Sequence, residues 1–142
     1  MKRILGENAP LPQLDPLNYD YFTHGAVMIQ RCKDCLTFQH PPEEVCNQCQ
    51  SFNLEAHECA GTGRIESKTT VHKSVHPGLM NAIPYAVAVI SLDDAKNVNV
   101  IGNIRDCAPA DVEIGQRVKA VFEEVPAGKN NEAMLIPQWS LV

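Results

Sequence analysis

Apolar and polar positions along this chain fall into short runs, not long amphipathic stripes. Residues 64–73 (RIESKTTVHK) alternate with a period of two, which predicts a strand with one buried face. Tyr85–Leu92 (YAVAVISL) is a nearly unbroken apolar run and predicts a buried strand. Val98–Ile104 (VNVIGNI), Val118–Val125 (VKAVFEEV) and Met134–Leu141 (MLIPQWSL) predict three more. Gly102 marks a bend or bulge in its strand, and Pro137 places the last strand at an edge or a bulge. Loop chemistry separates the runs: SVHPGLMNAIP at 74–84, DDAKN at 93–97, and a turn at 126–131. Five strands at this spacing, with no convincing long helix between them, predict a small barrel of the OB type over residues 61–142.

The first part of the chain has a different texture. Residues 1–14 are Pro-rich and read as an extended arm. Asp15-Pro16 is a helix-start signal, since Asp can cap and Pro suits the first helical position. A short helix over 15–23 follows, carrying Leu17, Tyr19, Tyr21 and Phe22, and Gly25 ends it. It serves either as a staple onto the next module or as a docking helix for a partner protein. Arm and helix make a unit of 1–25, and 26–60 make the next. There, strands are expected at Ala26–Arg31, Phe38–His40 and Leu54–Cys59, with Pro41-Pro42 stopping the second.

Between those strands stand Cys32-Lys-Asp-Cys35 and Cys46-Asn-Gln-Cys49. Each CxxC puts two thiolates on one tight turn, and two such turns facing each other form a tetrahedral S₄ cage. Four Cys fill every ligand position, so the site is closed and structural, whereas catalytic zinc keeps one position open. Zn²⁺ fits better than iron, because an electron-transfer role needs a redox partner to which nothing else here points. The metal would hold a module too small to fold alone. Strand, knuckle, strand, knuckle, strand is the order of a rubredoxin-like zinc ribbon.

Composition narrows the function classes. The chain has 142 residues and a net charge of −5, which argues against nucleic-acid and acidic-membrane partners. No apolar run approaches the roughly 20 residues that span a bilayer. The start, MKRILGENAP, has basic residues without an apolar stretch behind them, so a cytoplasmic location is expected. Cys59 and Cys107 lack a helix-opening context that would activate a thiol. His72 and His76 are not on one helical face. Glu43-Glu44, Asp93-Asp94 and Glu123-Glu124 are expected at turns or strand ends, with no separated acid/base pair. Neither a phosphate loop nor a nucleophile elbow is present.

The ordered set of pieces resembles the acyl-CoA-associated family known as domain of unknown function 35, a rubredoxin-like zinc ribbon fused to an OB-fold. The carrying residues are Tyr21-Phe22, Arg31-Cys32-Lys-Asp-Cys35, Pro41-Pro42, Cys46-Asn-Gln-Cys49 and Gly61-Thr-Gly63, then Pro84 to Leu92, Gly102-Asn-Ile104 and Ile114-Gly-Gln-Arg-Val118. Leu36 and Gln50 depart from the pattern, standing where Gly is common in such knuckles. The resemblance implies a non-catalytic subunit, in a hetero-oligomer with a thiolase-like catalytic subunit that supplies the nucleophilic Cys and basic His. The setting it favours is C–C acyl transfer onto a polyhydroxylated aromatic. The alternative is a steroid side-chain acyl-CoA lyase or hydratase complex. A CoA thioester would be bound by the complex. His76, Leu79, Met80 and Ile83, in the loop after the first barrel strand, are the expected contacts with the partner or its channel. Lys68, Lys73 and Arg105 are candidates for meeting phosphates. Three rivals make different demands. A single-strand nucleic-acid module needs a basic groove with stacking aromatics, an independent enzyme would use Cys107 or Cys59, and a rubredoxin-like carrier would hold iron.

Overall fold

The computed structural model describes residues 1–128 and 132–142, so residues 129–131 of the turn expected at 126–131 lie outside the described part. The fold is mainly β. A short helix, α1 (Tyr19–Thr23), precedes a three-stranded antiparallel sheet of β1 (Val27–Cys32), β2 (Phe38–Gln39) and β3 (Leu54–Cys59), in the order β2-β1-β3. Five further strands follow: β4 (Thr62–Val71), β5 (Tyr85–Leu92), β6 (Asn99–Arg105), β7 (Arg117–Val125) and β8 (Met134–Leu141). They close into a barrel in the order β4-β5-β6-β8-β7, with β7 returning to pair with β4. All barrel pairs are antiparallel except β6 with β8.

The helix is shorter than the sequence suggests. Asp15 Oδ1 accepts from the N–H groups of Leu17 and Asn18 at 2.8 Å each, but in the turn before the helix, whose N-cap is Asn18 with no side-chain cap bond. Asn18 Oδ1 in turn accepts from Asp15 N–H, and its Nδ2 donates to the Gln13 carbonyl. Residues 16–18 form turns and the helix starts only at Tyr19, although Tyr19 N–H already donates to the Asp15 carbonyl at 3.1 Å. Gly25, with φ of 82°, ends it as expected.

Two strand readings need correction. Tyr85–Leu92 is not buried on both sides: Ala86, Ala88, Ile90 and Leu92 point inward, and the residues between them are half-buried on the outer face. Gly102 makes neither bend nor bulge, for β5 and β6 stay in register from Val87↔Asn103 to Ser91↔Asn99. Its reason is close approach: a Cβ there would sit 2.5 Å from Cδ1 of Trp139, inside the barrel. The bulge falls in β4 instead, between Ile65 and Ser67. Pro137 pairs with Phe122 of β7, whereas β8 meets β6 only at Trp139 and Ser140, so no ladder on the β6 side needs an N–H from Pro137.

Trp139 is fully buried and shares the core with Ile65, Ile90, Val100, Ile104 and Val118. Val27, Ile29 and Cys59 of the ribbon belong to the same cluster. The ribbon therefore sits on the barrel through continuous apolar packing. Among the described residues, no helix is long and apolar enough to cross a membrane.

Candidate functional site

The two CxxC turns are built alike. Leu36 N–H donates to the Cys32 carbonyl at 2.9 Å, and Gln50 N–H to the Cys46 carbonyl at 3.0 Å. Cys32 N–H donates to Thr37 O, and Cys46 N–H to Ser51 O. Closing each turn this way demands a left-handed residue after the second Cys. Leu36 and Gln50 supply it at φ of 62° and 61°, a conformation Gly would adopt without the steric cost. Asp34 locks one knuckle to the other. Its carboxylate accepts from the Ser51 hydroxyl and from Asn53 Nδ2, and these bonds hold its pKa below the usual value.

The four sulfurs all lie within 4.8 Å of one another, with Cys32–Cys49 and Cys35–Cys46 Sγ pairs at 3.6 Å. A tetrahedral ion with Zn–S bonds of about 2.3 Å separates its sulfurs by about 3.8 Å, so the cage fits. Backbone N–H groups of Cys35 and Gln48 point at Cys32 and Cys46 Sγ, and such contacts favour thiolate. The Thr37 hydroxyl and then its backbone lower the Cys35 thiol to about 6. Cys32 and Cys46 are buried and Cys35 and Cys49 exposed, leaving one side of the cage at the surface. The four cysteines are thus arranged for zinc binding, with all four positions filled by protein.

The loop residues expected to meet a partner divide. Leu79 is buried, at 7% exposure, within a 3₁₀ turn over Pro77–Leu79. Met80 is 65% exposed, and Val75 is exposed too. Ile83 is half-buried. His76 caps the turn, its Nδ1 accepting from Gly78 N–H at 2.9 Å. Among the described residues, neither remaining thiol is hydrogen-bonded to a basic side chain: Cys59 donates to the His57 carbonyl and Cys107 to the Ala108 carbonyl. Burial, before the nearby Asp94 charge, pushes the Cys59 thiol up to about 11.

Sequence reasoning missed a buried polar network on the barrel. Glu123 is not at a strand end. It lies inside β7 at 1% exposure and pairs with Arg105 Nη1. Arg105 is therefore committed to Glu123 and to the Lys2 carbonyl at 2.7 Å, not offered to a phosphate. Glu123 Oε2 also accepts from Ile4 N–H at 2.6 Å, which pins the N-terminal arm. Gln138 Nε2 reaches Glu123 Oε1 and Asn103 Oδ1, and Asn103 Nδ2 donates to the Ala86 carbonyl. The alternation of VKAVFEEV sets Glu123 on the face of Lys119, opposite Val118, Ala120 and Phe122, so no local signal announced its burial.

Beside this network lies a cleft of about 660 Å³. Tyr21 and Phe22 of α1 form one wall, and His40, Pro41 and Pro42 of the ribbon another. Its floor is the outer face of the barrel, with Tyr85, Val87, Ile101 and Pro137. Among the described residues, none that lines it is Asp, Glu, Lys or Arg.

Comparison with known proteins follows this architecture. The family model described as the ChsH2 rubredoxin-like zinc ribbon domain matches residues 22–55, and that of the ChsH2 C-terminal OB-fold domain matches 56–123. The chain is similar to a probable enoyl-CoA hydratase alpha subunit of Thermomonospora curvata, 37% identical over 65% of this chain but only 28% of that protein. It is similar to a DUF35 domain-containing scaffold protein of Methanocaldococcus jannaschii, 34% identical over 67% of this chain and 66% of that one. Among solved structures it resembles a chain of an Ltp2-ChsH2(DUF35) aldolase, with 29% identity and a TM-score of 0.73 over 92% of this chain and 98% of that one.

Proposed function

The chain belongs to the DUF35 family of zinc-ribbon and OB-fold proteins, and from that premise we propose that it is a non-catalytic scaffold subunit of an acyl-CoA-processing complex. Its partner in this reading is a hydratase- or aldolase-type catalytic subunit. The observation that carries it is the fit to a chain of the Ltp2-ChsH2(DUF35) aldolase, which extends over 98% of that chain. The closed cysteine cage agrees, since a metal with four protein ligands offers no position to substrate. So does the seating of Cys59 in the core, where burial keeps its thiol protonated and it donates to the His57 carbonyl.

The finer expectation, a thiolase-like partner that transfers an acyl group to a polyhydroxylated aromatic, rests on the family resemblance alone. The hydratase- and aldolase-named relatives favour the lyase or hydratase setting. Val75 and Met80, exposed on the 74–84 loop, are the proposed contacts with the partner. Leu79, being buried, would act by holding the loop in shape.

The test is to purify the tagged chain from its own cells under mild conditions and identify what travels with it. A stoichiometric hydratase- or aldolase-type companion is expected. A thiolase-like companion would select the acyltransferase reading, and a solitary chain would overturn both. Met80→Glu should loosen the companion by about tenfold or more, the size of effect seen when a charge is buried at an apolar contact, without disturbing the fold. An unchanged complex would remove the loop from the interface.

A further inference from the structure

The N-terminal arm is not extended, as its prolines suggest, but coiled. Arg3 folds it back on itself, its guanidinium donating to the carbonyls of Glu7, Ala9 and Pro10 at 3.2–3.4 Å. Gly6 makes the turn at φ of 88°, its N–H donating to the Arg3 carbonyl and its own carbonyl accepting from Ala9 N–H. One end is tied to the barrel, where Ile4 N–H donates to Glu123 and Arg105 donates to the Lys2 carbonyl. Both anchoring side chains are largely buried. Further along, the arm crosses the loop that follows β4. A Cβ on Gly78 would lie 1.9 Å from the Asn8 carbonyl oxygen, so only glycine lets the two backbones pass so closely. The arm lies outside both matched family models, which cover residues 22–55 and 56–123.

The loop has little else to hold it. Among the described residues, the hydrogen bonds of residues 74–82 stay within that segment. Ser74 bonds to His76, His76 to Gly78 and Leu79, Pro77 to Met80, and Leu79 to Ala82. Leu79 is buried, and so is Ala9, yet neither belongs to the apolar core cluster. The contact of Asn8 with Gly78 brings these two side chains to the same crossing. Met80, the next residue, leaves that crossing exposed.

Resting on the reading that Met80 and Val75 meet the catalytic subunit, we propose that residues 1–14 are a strap that holds the 74–84 loop in its docking shape. Glu123 and Arg105 anchor the strap, Arg3 keeps it coiled, and the crossing at Gly78 bears on the loop. A loop bonded only to itself samples many shapes when free, and a partner must order it on binding. The strap does that ordering in advance. A partner's affinity scales with the fraction of chains already in the docking shape. Loosening the strap therefore weakens docking without removing a contact.

Amide hydrogen exchange of the full zinc-loaded chain tests the coupling in both directions. Arg3→Ala opens the coil of the arm and removes nothing from the loop. Exchange at Leu79 and Ala82 should quicken tenfold or more, while β5, β6 and β8 keep their rates and report that the chain is folded. Gly78→Ala drives a methyl against the Asn8 carbonyl from the loop's side and should quicken exchange at Ala9 by a similar factor. Unchanged rates at Leu79 and Ala82 in Arg3→Ala, or at Ala9 in Gly78→Ala, would overturn the strap whatever the catalytic subunit does. With the copurified catalytic subunit, Arg3→Ala should raise the dissociation constant about threefold or more. If it does not, while Met80→Glu weakens the complex, the loop is the contact, the strap has no part in docking, and only the strap is overturned. If neither substitution weakens the complex, the loop is not the contact, and that reading falls together with the strap.

Discussion

The ribbon of β1–β3 contributes Val27, Ile29 and Cys59 to the apolar core, while the rest of that cluster comes from residues 65–139. Three core side chains cannot offset the ordering of more than thirty residues at roughly 1–2 kcal/mol of backbone entropy each. The ribbon makes up the difference with side-chain bonds and with its cage. Gln39, buried, donates to Gln30 Oε1 and to the Val45 carbonyl and accepts from Asn47 N–H, fixing the run between the knuckles. Arg31 and Glu55, directly opposite on β1 and β3, pair at 2.7 Å. The barrel instead closes its strands around Trp139 and a set of Val, Ile and Ala side chains. One region is held by a point and a net of polar bonds, the other by a volume. They should therefore fail differently.

The largest expected effect is on the ribbon. Stripping the metal, or changing buried Cys32 to Ser, removes a binding free energy on the order of 10 kcal/mol or more. Amides of residues 27–59 should lose hydrogen-exchange protection while those of β5, β6 and β8 keep theirs. If the metal-free ribbon stayed protected, its contact with the barrel core would be sufficient and the contrast between the regions would fail.

The barrel should be indifferent to chelation and sensitive to volume. Trp139→Ala should cost about 3–5 kcal/mol, since the indole is fully buried and the strands around it cannot collapse freely. Gly102→Ala tests the same spot from the other side, adding a methyl where 2.5 Å is available, at about 1–3 kcal/mol. Denaturant unfolding of the zinc-loaded protein measures both. A neutral Gly102→Ala would mean that the indole has room to shift.

The contrast also explains what could be read from the chain. The cage was legible because four Cys at CxxC spacing have few other uses. Strands β5 and β8 were legible to the residue from their apolar runs. What escaped was decided by distant partners. Helix α1 is shorter than its start signal implied, residues 16–18 forming turns that its local bonds among Gln13, Asp15 and Asn18 hold. Gly102 looked like a bulge because the indole it accommodates lies thirty-seven positions away, on another strand. Glu123 was expected at a turn or strand end because its partners, Arg105 and the arm at Ile4, are remote in sequence. The aromatic cleft draws on helix, ribbon and barrel at once, and no local pattern announces it.

Glu123 joins the two modes of construction, a charged group seated in the region otherwise held by apolar volume. Glu123→Ala should cost about 3 kcal/mol, because it leaves the Arg105 guanidinium largely buried and unpaired. It should also free the N-terminal arm, seen as faster exchange at Ile4 and proteolysis within residues 1–14. Pairing it with Arg105→Leu should recover part of the stability but not the arm. Full recovery of both would mean that the arm is held by contacts other than this ion pair.

The smallest expected effect lies at the surface and depends on pH. Arg117, then the Thr62 hydroxyl, lowers the Asp93 carboxyl from its ordinary 3.8 to about 2. Both partners of the ion pair are more than a third exposed, so the contribution is under about 1 kcal/mol. A carboxyl lowered on folding stabilises above its unfolded value and loses that effect as pH falls through the folded one. The stability difference between the native chain and Asp93→Asn should therefore be constant above about pH 5 and shrink between about pH 4 and pH 2. Acid also protonates the cysteine thiolates and releases zinc, which alters both proteins alike. The difference between them, followed by the fluorescence of Trp139, isolates the barrel. A difference that persisted at pH 2 would show that Asp93 acts through the Thr62 and Arg117 geometry rather than through its charge.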